Sequence, residues 1–154
     1  SVKSTSDIAS VSGPADLAGK KVIVGSGTNQ ERILLGWNAE NEAAGRQPAL
    51  PVYLTDDASG NLYIQSGRAD VFFGPQSVAA YKAALSGKTK VVGLGPKKAY
   101  VATTTRKGNG LVYALQAALD GAIARGEYQK VLARWGEQGE AVTQSEVNPP
   151  GITY

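Results

Sequence analysis

Apolar and polar positions alternate in short blocks along the first hundred residues. The β-branched run Val22–Val24 lies between lysines and a glycine, which predicts a buried strand of a parallel sheet. Thr28 and Glu31 have the spacing of a helix-capping pair, and we expect that helix to end at Gly45. Its apolar positions are Ile33, Leu34, Trp37 and Ala44. The pattern therefore predicts a strand, a glycine-rich turn and a helix in succession.

The same alternation continues as far as residue 105. It predicts further strands at Val52–Leu54, Asp70–Phe73, Lys90–Leu94 and Tyr100–Thr105. A short helix is expected at Ala58–Gln65, and another begins at Pro75 with Val78, Tyr81 and Leu85 along one face. Strands that alternate with helices are typical of an α/β layer with a mostly parallel sheet flanked by helices.

The two ends of the chain follow other patterns. The segment Ser1–Pro14 is rich in Ser, Thr, Gly and Pro, and we expect it to be an extended leading segment. After Gly108 the apolar positions fit two successive helices, with the stripes Leu111, Leu115, Leu119, Ile123 and Tyr128, Val131, Leu132, Trp135. Gly136 is expected to end the second helix. The polar tail Glu137–Tyr154 is expected to be extended because it contains two adjacent prolines.

The turn after the first predicted strand has the features of an anion site. In open α/β sheets ligands bind beyond the carboxyl ends of the strands, where the turns Gly25–Asn29 and Gly74–Ser77 would lie. Backbone N–H groups at the start of a helix, together with the helix dipole, attract a carboxylate or a phosphate. Ser26 and Thr28 add hydroxyl groups. The alternative is that Thr28 only caps its helix and the glycines only form the turn, and the local sequence favours neither interpretation.

Other kinds of site find little support in the residues. Gln30 stands where a dinucleotide-binding G-x-G-x-x-G turn needs its third glycine, and no Gly-Lys-Ser/Thr follows for a P-loop. His and Cys are absent, which excludes a Ser-His triad, a thiolate nucleophile, a disulfide and the common zinc ligands. Asp56-Asp57 is the only adjacent acidic pair, and we expect it to cap the following helix. We therefore expect no catalytic residues, no metal and no cofactor.

Composition and charge restrict the partners. The 154 residues are 42% hydrophobic and 19% charged, as in an ordinary globular domain, and the formal net charge is +3. The basic residues are spread along the chain, so we expect no nucleic-acid partner. The apolar runs are far shorter than the roughly 20 residues of a membrane span. Because the chain starts at Ser1 without a signal-peptide pattern, we expect that any signal peptide or upstream segment has been removed.

Short motifs occur in a characteristic order between Ala15 and Pro150. They are Asp16–Val22, Ser26-Gly27-Thr28, Ser66-Gly67-Arg68-Ala69-Asp70, Arg106-Lys107-Gly108-Asn109, Gly126-Glu127-Tyr128 and Trp135-Gly136. Together they resemble the family 3 extracellular solute-binding proteins, which are the receptors of polar amino-acid ABC transporters. The resemblance implies a type II periplasmic-binding-protein-like fold, in which two hinged lobes close around a solute. It also implies an extracytoplasmic location, periplasmic or as a cell-surface lipoprotein, and an ABC transporter permease as partner.

The resemblance further implies an incomplete two-lobe fold, because family members are longer at the N-terminus. Residues 1–97 would form the second, ligand-closing lobe. Residues 98–154 would form a return crossing, two C-terminal helices and an extended tail that normally complete the first lobe. The apolar stripes of those helices would lack their usual partner. Large apolar patches are rarely left open to water. We expect the helices to fold back on the chain, or to be buried by the missing lobe or by a second copy of the chain.

By position, four residues match the family turn that receives the carboxylate of the ligand through backbone N–H groups and a hydroxyl group. These are Ser26, Gly27, Thr28 and Asn29. The resemblance thus implies that the turn is one half of a clamp, in agreement with the argument from the helix start.

The second family contact is an aspartate just after the third strand, which holds the ammonium group of an amino acid. Pro75 occupies that place here, and it has neither a negative charge nor an N–H group. Gly74, Pro75 and Gln76 would then form the facing wall, and Gln76 or the missing lobe would hold the ammonium group. Gly25 and Gly74 would leave that wall open to a bulkier or less polar solute.

The leading hypothesis is a protein that binds a small extracellular solute with a carboxylate or similar anionic group and delivers it to an ABC transporter by lobe closure. One alternative is a ligand-sensing domain of a larger receptor. The other is a dehydratase-like enzyme on the same fold, which would need an acid or base beside the clamp.

Overall fold

A computed structural model describes residues 1–54, 56–93, 95 and 100–151, apart from the side chains of residues 57 and 58. The contacts divide the chain into two compact units, Ser1–Pro96 and Lys97–Tyr154. The expected boundary between residues 97 and 98 lies outside the described residues, so the assignment of two lobes to the chain stays a prediction.

Strands of the first unit form one mixed sheet. They are β1 (Val2–Lys3), β2 (Lys21–Ile23), β3 (Leu50–Val52), β4 (Val71–Phe72) and β5 (Thr89–Lys90), and their order across the sheet is β3, β2, β4, β1, β5. Strand β2 pairs in parallel with β3 and β4. Strand β1 is antiparallel to both β4 and β5. It therefore runs against the other described strands, which share one direction.

Strand β1 corrects the expectation that residues 1–14 form only an extended leading segment. Val2 is fully buried and lies opposite Val71 on one side and Lys90 on the other. A strand of two residues is too short to show a period of two in the sequence. Its place in the sheet is decided by the two strands that it pairs with.

Helices cover both faces of this sheet, because successive strand residues point to opposite sides. Val22, Val24 and Val71 pack with Leu34 of helix α1 (Asn29–Ala43). On the other face, Ile23 packs in a cluster with Ile64 of helix α2 (Asp57–Ser66) and Ala69. The predicted strand and helix around the first turn are confirmed, and so is the short helix after Asp56, whose carboxylate accepts the Ser59 N–H at 2.7 Å.

Helix α3 (Gln76–Ser86) begins one residue later than expected, with Pro75 at its N-cap. The face with the predicted apolar positions is not the buried face of this helix. Ala79 is the buried residue of α3, whereas Leu85 is 73% exposed and Tyr81 is also exposed. Apolar spacing indicates that residues share a side of a helix, but the sheet that packs on α3 selects the side with the small residues.

Three predicted strands differ from the structure. Of the strand expected at Val52–Leu54, only Val52 belongs to β3. The segment expected at Lys90–Leu94 contributes only its first residue to β5, and Leu94 lies outside the described residues. Residues 100–105 form no strand, and Val101 is fully exposed. Tyr100–Thr105 has the β-branched composition of a strand, but a strand also needs a neighbour to accept and donate its backbone hydrogen bonds.

The second unit contains the predicted C-terminal helices, α4 (Leu111–Ala124) and α5 (Glu127–Trp135). Gly136 follows α5 with a φ of 72°, as expected for the end of a helix. Neither helix has a buried residue, and the following apolar side chains remain exposed: Leu111, Tyr113, Leu115, Leu119, Val131 and Trp135. Within the described ranges, no helix is both long and apolar enough to span a bilayer.

The tail after α5 is not wholly extended, because Gln138–Glu140 forms a short 3-10 helix. Farther on, Ser145 donates both its N–H and its hydroxyl group to the Asp120 carboxylate of α4, at 2.7 and 2.8 Å. These bonds hold the pKa of Asp120 below its usual value. The tail is thereby attached to the helix that precedes it in the unit.

The packing of α1 gives a matched test of the core. Leu34→Ala removes a fully buried side chain, whereas its neighbour Leu35 is 49% exposed. We expect Leu34→Ala to lower the free energy of unfolding by about 2–5 kcal/mol, because it leaves a cavity. Leu35→Ala should change that free energy by about 0.5 kcal/mol or less. Urea unfolding measures both values, and equal losses in the two variants would contradict this packing.

Candidate functional site

Parallel pairing brings three strand ends together at one edge of the sheet. The Phe73 N–H donates to the Ile23 carbonyl at 2.9 Å, and the Val24 N–H donates to the Val52 carbonyl at 3.2 Å. Neighbouring strands lie about 4.8 Å apart, so the segments that follow them are neighbours as well. Residues 25–29 therefore lie between Tyr53 on one side and the segment 74–76 on the other.

The turn itself is shaped by Gly27, which has a φ of +72°. That conformation strains any residue with a side chain, so glycine is required there. Ser26, Gly27, Thr28 and Asn29 are all exposed. The turn is consequently accessible from outside the sheet, at the N-terminus of α1.

Thr28 is the N-cap of α1, which is one of the two interpretations left open by the sequence. Its hydroxyl group accepts the Glu31 N–H at 3.2 Å and donates its proton to the Gly25 carbonyl at 2.7 Å. The hydroxyl proton is therefore already used within the turn. A bound anion would depend on the backbone N–H groups and on the hydroxyl group of Ser26.

Glu31 belongs to the site in a way that sequence reasoning missed. Its carboxylate accepts the Gly27 N–H at 2.6 Å and the hydroxyl group of Tyr53. The bond from Tyr53, followed by that from Gly27, lowers the pKa of Glu31. The bond to Glu31 raises the pKa of Tyr53, and burial and the negative charge of Glu31 add to this effect. One N–H group of the turn thus already holds a negative charge.

The sequence contained part of this signal. The capping spacing pointed to Glu31, but as a partner of Thr28 rather than of Gly27 and Tyr53. Tyr53 directly follows β3, and the parallel register of β3 and β2 brings it beside the turn. A tyrosine after a predicted strand carries this information only once the order of the strands is known.

The space beside Gly25 and Gly74 is filled, which corrects the expectation of an open wall. A Cβ atom at Gly25 would come within 2.9 Å of the Thr28 methyl group. A Cβ atom at Gly74 would overlap the ring of Phe72. The Lys82 ammonium lies 5.4 Å from the centre of that ring. The surface at Gly74 is therefore aromatic, and its shape depends on Phe72.

Pro75 and Gln76 follow Gly74 and form the start of helix α3. The Pro75 carbonyl accepts the Ala79 N–H at 3.1 Å, and both Pro75 and Gln76 are exposed. No acidic residue occurs from residue 74 to residue 86. The wall that faces the turn therefore offers no carboxylate of its own to an ammonium group.

A small cavity lies near this edge on the α1 face of the sheet. Trp37 and Phe73 stack there with ring centres 5.7 Å apart, and Val11 and Val92 are among the other apolar residues that line it. The cavity has a volume of about 40 Å³. Ligand pockets usually measure about 300–1,000 Å³, so this cavity is too small for an amino acid. In the described part of the chain, no group of three or more acidic side chains could hold a metal ion.

Comparison with known proteins identifies the fold. No family model and no curated protein matches the chain. Among solved structures, an ancestral arginine-binding protein bound to arginine is 25% identical with a TM-score of 0.59, over 87% of this chain and 57% of that one. The probable amino-acid ABC transporter extracellular-binding protein of Bacillus subtilis is 24% identical with a TM-score of 0.68, over 90% and 58%.

A third structure concerns glutathione import via GshT and the cystine ABC importer TcyBC of Streptococcus mutans. It is 18% identical with a TM-score of 0.69, over 87% of this chain and 56% of that one. The chain thus spans less than two thirds of these neighbours. The first two are binding proteins by name, and the three neighbours confirm the resemblance to solute-binding proteins and the type II periplasmic-binding-protein-like fold class.

The bond between Glu31 and Tyr53 can be tested by titration. Glu31→Gln removes the charge that holds the phenol in its protonated form, so we expect the pKa of Tyr53 to fall towards its ordinary value. Selectively labelled tyrosine, followed by NMR as the pH is raised, measures this pKa. Glu40→Gln on the same helix is the control and should leave the Tyr53 titration unchanged. An unchanged titration in Glu31→Gln would show that the two groups do not interact.

Proposed function

We propose that the chain is the ligand-closing part of an extracytoplasmic solute-binding protein, which delivers a small solute with a carboxylate or similar anionic group to an ABC transporter. The observation that supports this proposal most is the turn 25–29, which lies between parallel strand ends at the N-terminus of α1. The fold is shared with solute-binding proteins, one of which was solved with arginine bound. No catalytic residue and no cofactor are part of the proposal.

The anion would be held by the turn Ser26, Gly27, Thr28 and Asn29. Because Thr28 donates its hydroxyl proton to Gly25, its contribution would come from the backbone. Ser26 would supply the hydroxyl group. The helix dipole of α1 would add favourable charge to the exposed N–H groups.

Glu31 narrows the class of solute. Its carboxylate contacts the turn, so a solute with only negative charge would be repelled at short range. A solute that also carries an amino group would instead be attracted by Glu31. We therefore propose an amino acid or a related amino carboxylate, with Glu31 near its ammonium group in place of the aspartate that Pro75 replaces.

The facing wall would consist of Gly74, Pro75 and Gln76, backed by the ring of Phe72. This wall is largely apolar, so it suits the less polar part of a solute. Gln76 is its polar side chain at the helix start and would donate to an oxygen of the solute.

Closure would need contacts from a second lobe as well as from this one. A ligand shifts the equilibrium between the open and closed states only by the difference between its affinities for them. Contacts from one lobe alone hold the solute on an open edge, so we expect the chain by itself to bind weakly. The transporter would then bind the closed form of the complete protein.

Calorimetry with a panel of amino acids tests the anion clamp in the longest natural polypeptide that contains this chain. Ser26→Ala should weaken binding by about tenfold to a hundredfold, because a hydrogen bond to a charged group contributes about 1.5–3 kcal/mol. Ser86→Ala is the matched control. Ser86 is the last residue of α3, at the end away from Gln76, and the variant should bind like the parent. Equal affinity in the two variants would contradict the proposed clamp.

The exposed stripes of α4 and α5 suggest where the rest of the fold would pack. We propose that a complementary lobe covers them in a two-lobe protein, and that a second copy covers them when the chain is alone. The exposed apolar residues on both helices support this, because a patch of this kind is rarely left open to water.

Sedimentation of the 154-residue chain tests the association. We expect a dimer that becomes a monomer when Val131→Glu and Trp135→Glu are combined, since both side chains are more than half exposed and apolar. Lys130→Glu, an exposed position on the same helix, is the control and should remain dimeric. A monomeric parent chain at high concentration would exclude the second copy as partner.

A further inference from the structure

Asn109 and Gly110 form an exposed pair just before α4. The side-chain Oδ1 of Asn109 accepts the Leu111 N–H at 3.1 Å. Gly110 has a φ of +72°, and a Cβ atom placed there would meet nothing within 4 Å. In the part of the chain that the structure describes, the Gly110 N–H has no hydrogen-bond acceptor. The amide side chain is thus bound at its oxygen, next to a backbone nitrogen that is not engaged.

We propose that Asn109 is a site of spontaneous deamidation. The Gly110 backbone nitrogen attacks Cγ of Asn109 and loses its proton as the new N–C bond forms. The bond from Cγ to the side-chain nitrogen breaks, and that nitrogen leaves with the proton as ammonia. Water then opens the resulting five-membered succinimide ring at either carbonyl, which yields aspartate or isoaspartate. Water is the only co-reactant.

The hydrogen bond from Leu111 favours this reaction. As the nitrogen attacks Cγ, negative charge develops on Oδ1, and the Leu111 N–H already points at that oxygen. Donors positioned before the reaction stabilise such charge without reorganisation. Gly110 contributes the second advantage, because it has no side chain to hinder the approach of its own nitrogen to Cγ.

The other asparagines lack this combination. Asn29, Asn38, Asn41 and Asn61 lie within α1 and α2, where the regular backbone keeps the following nitrogen away from the side chain. The Asn38 and Asn41 amides also donate to the carbonyls of Ala49 and Pro14, at 2.9 and 2.8 Å. Asn148 is followed by Pro149, whose nitrogen carries no proton to lose. Asn109 is therefore expected to react fastest.

The products affect the start of α4 in different ways. Aspartate adds one negative charge near the helix N-terminus, where the helix dipole favours it, and keeps an oxygen for the Leu111 N–H. Isoaspartate adds a carbon to the main chain between residues 109 and 110, so the bond to Leu111 is lost. The start of α4 would then be less ordered in the isoaspartate form.

Incubation of the full 154-residue chain under native conditions, followed by peptide mass spectrometry, tests the proposal. We expect the Asn109 peptide to accumulate the deamidated form faster than every other asparagine peptide. The Asn109→Asp variant provides the chromatographic marker for the aspartate product. A faster reaction at any other asparagine, or a stable amide at Asn109 in the native chain, would overturn the proposal.

Gly110→Ala tests the role of the pair itself. Its Cβ atom should slow deamidation about tenfold, which corresponds to about 1.4 kcal/mol in the barrier. Gly45→Ala is the matched control, because Gly45 is exposed, has a similar φ of +68° and would place its Cβ atom within 4 Å of nothing. Circular dichroism checks that both variants keep their helices. The same comparison in urea removes any effect of Gly110→Ala on the folded loop, so it measures the effect of the Cβ atom on the reaction itself. Equal deamidation rates in Gly110→Ala and the parent in urea would also overturn the proposal.

Discussion

The parallel pairing of β2 with β3 and β4 is the constraint on which the first unit depends. It places Val24 beside Val52 and Phe73 beside Ile23, with hydrogen bonds that extend past the strands themselves. The same pairing sends alternate side chains to two separate clusters, one under α1 and one under α2. It also gathers the turn 25–29, Tyr53 and the segment 74–76 at one edge. The site is therefore a consequence of register rather than of any single motif.

Helix capping and the proposed anion binding would compete for the same groups of the turn. Thr28 and Glu31 satisfy part of the helix start internally, which stabilises α1 without a ligand. The residues of the turn are exposed, and the Glu31 carboxylate lies beside them. The proposed site would discriminate between solutes through their charge distribution, since a nearby negative charge penalises a simple anion and favours a zwitterion. The order of the turn and the proposed selectivity would thus both depend on one side chain, Glu31.

The second unit shows how periodicity and burial differ. The stripes on α4 and α5 were predicted from spacing, and both helices are present. Their apolar residues nevertheless remain exposed, because burial requires a surface that packs against them. Inside the unit, the bonds from Ser145 to Asp120 attach the tail to α4 by polar contacts instead. This chemistry leaves the apolar stripes available to another surface.

The sequence by itself determined the features that depend on neighbours within about four residues. These include the Thr28 cap, the Asp56 cap and the glycine after α5. Only the tertiary structure decided that Val2 belongs to the sheet, that Phe72 fills the space at Gly74, and that Tyr53 reaches Glu31. The physical reason is that these contacts join residues far apart in the chain. Strand order and register bring them together, and no local pattern encodes either one.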